Sequence, residues 1–92
     1  MPYTEQKDRE KFEPALSELR KIIREQIDQG KMTKGDLTYL AYALGIEFFK
    51  GKASYTTIST AISCLNDAAE ELRRSHLDPY EDRKKAENGD VE

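Results

Sequence analysis

Apolar residues recur along the chain in three stretches, each with helical spacing. In the first, Phe12, Leu16, Leu19, Ile22, Ile23 and Ile27 follow one another mostly by threes and fours, which lays them along one face of a helix. Pro14 suits the first turn, where its missing N–H would be unpaired anyway, and Gly30 suits the position just past the end. The pattern predicts a helix over 14–29. Upstream, Glu5 to Lys11 is almost entirely charged, so residues 1–13 read as a charged N-terminal arm. Pro14 disfavours helical geometry at Glu13, and a break or kink is expected there.

The second stretch opens on Thr33-Lys34-Gly35-Asp36, the form of a capping box in which Asp stands for the usual Glu or Gln, and Met32 and Leu37 are spaced as a hydrophobic staple around it. Leu37, Tyr39, Leu40, Ala41, Tyr42, Ala43, Leu44, Ile46, Phe48 and Phe49 then cover nearly every side of a helix over 34–50. A helix apolar all round is a central one. Gly45 in its interior costs about 1 kcal/mol relative to Ala and points to close approach by another helix or to tolerated packing noise.

In the third, Ser54 caps a helix over 55–77 with Ile58, Ile62, Leu65, Ala69 and Leu72 at alternating steps of four and three, a seam of about two heptads. Arg73, Arg74 and His76 suit the negative end of its dipole. Asp78-Pro79-Tyr80-Glu81 then interrupts it and repeats helix-start chemistry. The tail over 79–92 either docks through Tyr80 or frays; composition favours fraying.

These elements make an all-α chain, a small three-helix bundle with a short helical or extended tail. Ninety-two residues suit one domain. With 37% hydrophobic and 36% charged residues and no Trp, its core is small, because a chain of this length buries only about 60–65% of its unfolded surface. Completion by homo-oligomerisation is therefore expected, with part of the second helix as an intersubunit contact.

The formal charge of -3, with both signs interspersed, argues against nonspecific nucleic-acid binding, which needs a basic surface. No stretch is apolar for long enough to span a bilayer, and the N-terminus lacks the form of a secretory signal. The single Cys64 fits a reducing compartment and a cytoplasmic location.

Catalytic chemistry finds little support. Cys64 and His76 lie twelve residues apart, about 18 Å along a continuous helix, too far to act together. His76 and Asp78 lack the companions of a metal site, and no phosphate-cradling glycine loop is present. Neither a cofactor nor a metal is expected. The groups suited to binding are aromatic rings, which stack on planar ligands, and cations, which pair with phosphates. These are Tyr3, Tyr55 and Tyr80 with Arg9, Lys11, Arg73, Arg74 and Lys84.

The opening Met1-Pro2-Tyr3 with Gln6-Lys7-Asp8-Arg9-Glu10-Lys11-Phe12, the ending Pro79-Tyr80-Glu81-Asp82-Arg83-Lys84 through Glu87-Asn88-Gly89-Asp90-Val91, and the internal Leu37-Thr38-Tyr39 and Ser54-Tyr55 resemble a family of short, functionally uncharacterised proteins of phage, bacterial and metagenomic sequences. The chain departs from that family at Thr38, where Asn is favoured, and at Leu72, where an aromatic is. The resemblance implies no activity, but it implies that Tyr80 to Val91 is ordered and that a phage origin, with a role in binding and blocking, comes into view.

Two readings of function follow. One is a noncatalytic ligand-binding homo-oligomer, in its sharpest form a sponge that sequesters a nucleotide second messenger of host defence. The other is a protein-interaction module that occludes a host or phage protein through the apolar face of the second helix or the third-helix seam. An exposed apolar stripe favours the second; a basic, tyrosine-lined pocket favours the first.

Overall fold

A computed structural model describes residues 4–89 of the chain. The described residues form helices and short connections, with no strand among them, so the chain is all-α as the apolar spacing predicts. Helix α1 (Gln6–Arg9) leads through a tight 3-10 turn (Glu10–Phe12) into α2 (Glu13–Asp28); α3 (Lys34–Phe49) and α4 (Tyr55–Leu72) follow, and a π-helical turn (Arg73–Leu77) joins α4 to α5 (Asp78–Asn88).

Local chemistry sets most of these boundaries. Glu13 takes ordinary helical geometry, φ −58° and ψ −41°, although it precedes Pro14. The expected break is thus absorbed one turn earlier: the Glu13 N–H bonds back to the Glu10 carbonyl in 3-10 fashion, and the arm is helical from Gln6. At the other end of α2, Gly30 adopts φ +69°. Its N–H reaches the Ile27 carbonyl at 2.9 Å and the Lys31 N–H reaches that of Gln26 at 2.8 Å. These two bonds make a Schellman motif, which needs a left-handed residue at this position.

The box at Thr33 forms in both directions: the Asp36 N–H donates to Thr33 Oγ1 at 3.1 Å and the Thr33 N–H to Asp36 Oδ2 at 2.9 Å. A second box opens α4, where the Thr57 N–H donates to Ser54 Oγ at 3.1 Å and the Ser54 N–H to Thr57 Oγ1 at 2.9 Å. Thr57 does here what Glu or Gln commonly does at the third helical position.

The chain divides into two compact units between Leu44 and Gly45. In the first, α2 and the start of α3 meet along an apolar groove of about 250 Å³ that includes Leu19, Ile23, Met32 and Leu40. In the second, the end of α3 meets α4 at Gly45: a Cβ there would stand 3.3 Å from Leu65 Cδ1, so the close approach inferred for this glycine is to a helix of the same chain. Coverage in both units is thin. Ala61, at 7% exposure, is the one buried apolar residue among those described, while Leu44 and Leu72 remain 64% and 63% exposed.

The third helix does not stop at Asp78-Pro79. Pro79 has no N–H to give to the Ser75 carbonyl, and its ring would press on that oxygen in an α-helix. Widening the preceding turn relieves both problems: the Asp78 N–H bonds to the Arg73 carbonyl, five residues back. Helical backbone therefore runs from Tyr55 to Asn88, about 50 Å at 1.5 Å per residue.

Two outcomes follow from these local causes. Ser54→Ala removes one reciprocal cap, and a loss of about 1 kcal/mol, a fall of roughly 4–8 °C in Tm, is expected by thermal unfolding. Pro79→Ala restores the missing donor, so the π turn should tighten to α geometry; the amide of residue 79 then becomes protected in hydrogen exchange, and that of Asp78 shifts its acceptor from Arg73 to Arg74.

Candidate functional site

The π turn decides which side chains share a face. In a π turn the residue one turn on is about five away, so Leu77 lies one turn beyond Leu72 and Tyr80 follows at the next α-helical step. The extra residue keeps Leu72, Leu77 and Tyr80 on one stripe of the α4–α5 helix. With them, Ala69, Arg73, His76 and Arg83 line a shallow groove of about 560 Å³.

Tyr80 is the centre of this face. Its ring is half exposed, and two cations stand over it: the Lys84 Nζ at 5.7 Å and the Arg83 guanidinium at 5.9 Å from the ring centroid. Both distances suit cation–π attraction, and the residues lie one turn ahead, where helical side chains meet. Arg73, on the preceding turn, approaches the Glu70 carboxylate at 3.7 Å, with both side chains exposed, a contact worth little in water. Among the described residues Arg83 makes no ion pair, so its guanidinium remains available to an anion.

Arg74 is committed elsewhere. It donates to the Glu71 carboxylate, as does the Ser75 hydroxyl at 3.0 Å. These hydrogen bonds, that of Arg74 first and that of Ser75 second, hold the Glu71 carboxyl below the usual carboxylate range. Arg74 therefore points to an acid on its own helix and does not line the groove.

Of the residues singled out from the sequence, the structure brings together Arg73, Tyr80 and, at the margin, Lys84. Tyr55, 88% exposed, begins the same helix eighteen residues before Arg73, about 27 Å away, and cannot join that face within one chain. Arg9 and Lys11 belong to the first unit. The Arg9 Nε donates to the Thr4 carbonyl at 2.8 Å, and its side chain lines a separate groove with Phe12, Glu13, Leu16 and Arg20; Lys11 places its Nζ 5.2 Å from the Phe12 ring centroid. Tyr3 lies outside the described residues.

Two members of the face, His76 and Arg83, were not among the binding groups singled out: His76 was read as a helix-end cation, and Arg83 follows from the helical steps 73, 76, 80, 83 only if the helix is carried through Asp78-Pro79. The face holds no nucleophile beside a base. Cys64 is exposed and remains twelve residues from His76 on unbroken helical backbone. No group of three His, Cys, Asp or Glu residues among those described could hold a metal ion, and no helix there is long and apolar enough to cross a membrane. What the arrangement offers is a planar ring, two guanidiniums, an ammonium and an imidazole over an apolar floor.

Comparison with known proteins adds a family and no activity. No curated protein and no solved structure matches the chain. A family match spans residues 1–91, nearly the whole sequence, and by it the chain belongs to the family described as Domain of unknown function (DUF6899).

Proposed function

We propose that this chain is a noncatalytic binding protein that takes a small anionic ligand with a planar group, of the nucleotide class, on the Arg73–Arg83 face of α4–α5. The observation that carries the reading is the cluster of cations around one half-exposed ring: Lys84 and Arg83 within 6 Å of Tyr80, and Arg73 lining the same groove. A base stacked on Tyr80 leaves its phosphate within reach of Arg83 or Arg73, which pair with phosphate oxygens in a bidentate manner. The Arg73 contact to Glu70 is solvent-exposed and exchangeable. In this reading the protein works in the cytoplasm as a homo-oligomeric sponge that withholds a nucleotide second messenger of host defence. The motifs at the two chain ends, which resemble those of short phage proteins, support that setting.

A second reading rests on a separate observation. Leu37 and Leu44, two turns apart on α3, are both exposed by more than 60%, and apolar stripes of this kind serve protein contacts. In that case the chain occludes a host or phage protein through α3.

Native mass spectrometry of the protein purified from a defence-active bacterial host tests the ligand reading. A nucleotide-sized adduct is expected on the wild type. Tyr80→Leu, which keeps an apolar side chain but removes the stacking ring, should lower affinity for the retained nucleotide by roughly 5- to 150-fold, since stacking is worth about 1–3 kcal/mol per base. Arg83→Gln should weaken it by at least about tenfold through loss of a charge-assisted contact. Equal retention in the wild type and both variants would overturn the assignment, and a bare protein that captures a protein partner, losing it on Leu44→Lys, would favour the second reading.

A further inference from the structure

The chain has two asparagines, Asn66 and Asn88, and the structure sets them in opposite situations. Asn66 lies inside α4, where its own C=O and the N–H of Asp67 both belong to the helical hydrogen-bond ladder. Asn88 is the last residue of α5, is followed by Gly89, and is exposed together with it. No turn motif ties the chain down at this end. The N–H of Gly89 makes no hydrogen bond among the described residues, whereas past the end of α2 the N–H groups of Gln29 and Gly30 both bond back to helix carbonyls. A Cβ placed on Gly89, at φ +80°, would meet nothing within 4 Å.

These are the conditions under which a backbone nitrogen can attack the asparagine side chain before it. The nitrogen of the following residue must lose its proton and reach the side-chain carbonyl carbon, and the backbone turns about ψ of the asparagine to bring the two together. At Asn66 that rotation breaks two bonds of the ladder. At Asn88 it breaks none: the Asn88 carbonyl is among the last four of its helix, which have no intrahelical donor, and the Gly89 N–H is unbonded among the described residues. Glycine also puts no side chain in the path of the closing ring. We infer that Asn88 is a site of spontaneous deamidation in the folded protein and that Asn66 is not.

The step needs no reactant but water. The Gly89 nitrogen bonds to Cγ of Asn88, its proton leaves with the side-chain NH2 as ammonia, and a succinimide ring remains. Water then opens the ring at either carbonyl, giving aspartate, or isoaspartate in which the main chain runs through the former side chain. Either product carries one more negative charge, taking the formal net charge from -3 to -4. The new carboxylate stands at the negative end of the α5 dipole, where a charge of that sign is unfavourable. It also stands one turn beyond Lys84, whose ammonium lies 3.3 Å from the Glu87 carboxylate and 5.7 Å from the Tyr80 ring centroid, and so adds a second acid within reach of that cation. Isoaspartate further lengthens the main chain by one carbon, out of step with the helical repeat. The last turn of α5 therefore loosens in both products. The inference goes beyond the ligand reading and stands without it.

Ageing of the whole wild-type chain tests the assignment. The protein is incubated at neutral and at mildly alkaline pH, folded and, in parallel, unfolded in guanidinium chloride, and peptide mass spectrometry follows the exchange of side-chain nitrogen for oxygen at each asparagine. The expected result is loss of Asn88 in the folded chain at a rate within a few-fold of that in the unfolded chain, faster at the higher pH because the attacking nitrogen must lose its proton. Aspartate and isoaspartate should both form there, while Asn66 of the folded chain stays intact. Protection of Asn88 by folding beyond that range, or loss of Asn66 ahead of it, overturns the proposal. As a second measurement, Gly89→Ala sets a side chain beside the attacking nitrogen and should slow the loss severalfold; an unaltered rate in a variant of unchanged helix content also counts against it.

Discussion

Pro79 has no hydrogen to donate to the backbone, and the second unit is arranged around that fact. A helix that meets proline has three recourses: to end, to kink, or to open the preceding turn. Here the turn from Arg73 to Leu77 opens to π geometry, with the Asp78 N–H on the Arg73 carbonyl. Helical backbone then continues for eleven more residues as α5. The cost is one widened turn. The consequence is a single face on which Leu72, Leu77, Tyr80, Arg73 and Arg83 stand together, with Leu77, five residues from Leu72, brought onto it by the wider turn.

Beyond that turn, the chain is defined more by local hydrogen bonding than by burial. Two reciprocal capping boxes and a Schellman motif satisfy backbone donors and acceptors at helix ends, each cap worth about 1 kcal/mol. Apolar cover is correspondingly slight. Leu72, with 63% of its surface exposed, still has more than half of the roughly 1.5–3 kcal/mol that full burial of a leucine provides left to gain. The same holds for Leu44. Helices of this length gain most of their stability from a packed face, so the exposed stripes are where further association contributes most. This ties the proposed functions to the fold: the surfaces offered to a ligand, a protein or a second copy are those that folding leaves uncovered.

Helix starts and stops were legible because their causes act over three to six residues. Thr33 with Asp36, Ser54, Pro14 and Gly30 each signal a boundary through hydrogen bonds to near neighbours, and the structure places each within a residue or two of its expected position. Two expectations failed where a proline was read as a local stop. Glu13 is helical because the 3-10 turn before it yields, and Asp78-Pro79 is crossed because the π turn before it yields. In both places the strain moved one turn upstream. Reading helix 3 as finished at Leu77 also hid Arg83, since a helical step through residue 79 was not counted.

The sequence by itself determined the helical class and the order and approximate limits of the helices, because periodicity and capping are encoded in contiguous residues. Only the tertiary structure decided that Gly45 is approached by Leu65 of the same chain, that Arg74 is drawn to Glu71 while Arg73 lines the groove, and that Tyr55 and Tyr80 stand at opposite ends of one helix. Each of these depends on register along a helix or on which faces meet. One added residue in a turn shifts the facing of everything beyond it, and no local pattern of apolar and polar positions specifies whether the chain takes that extra residue or stops.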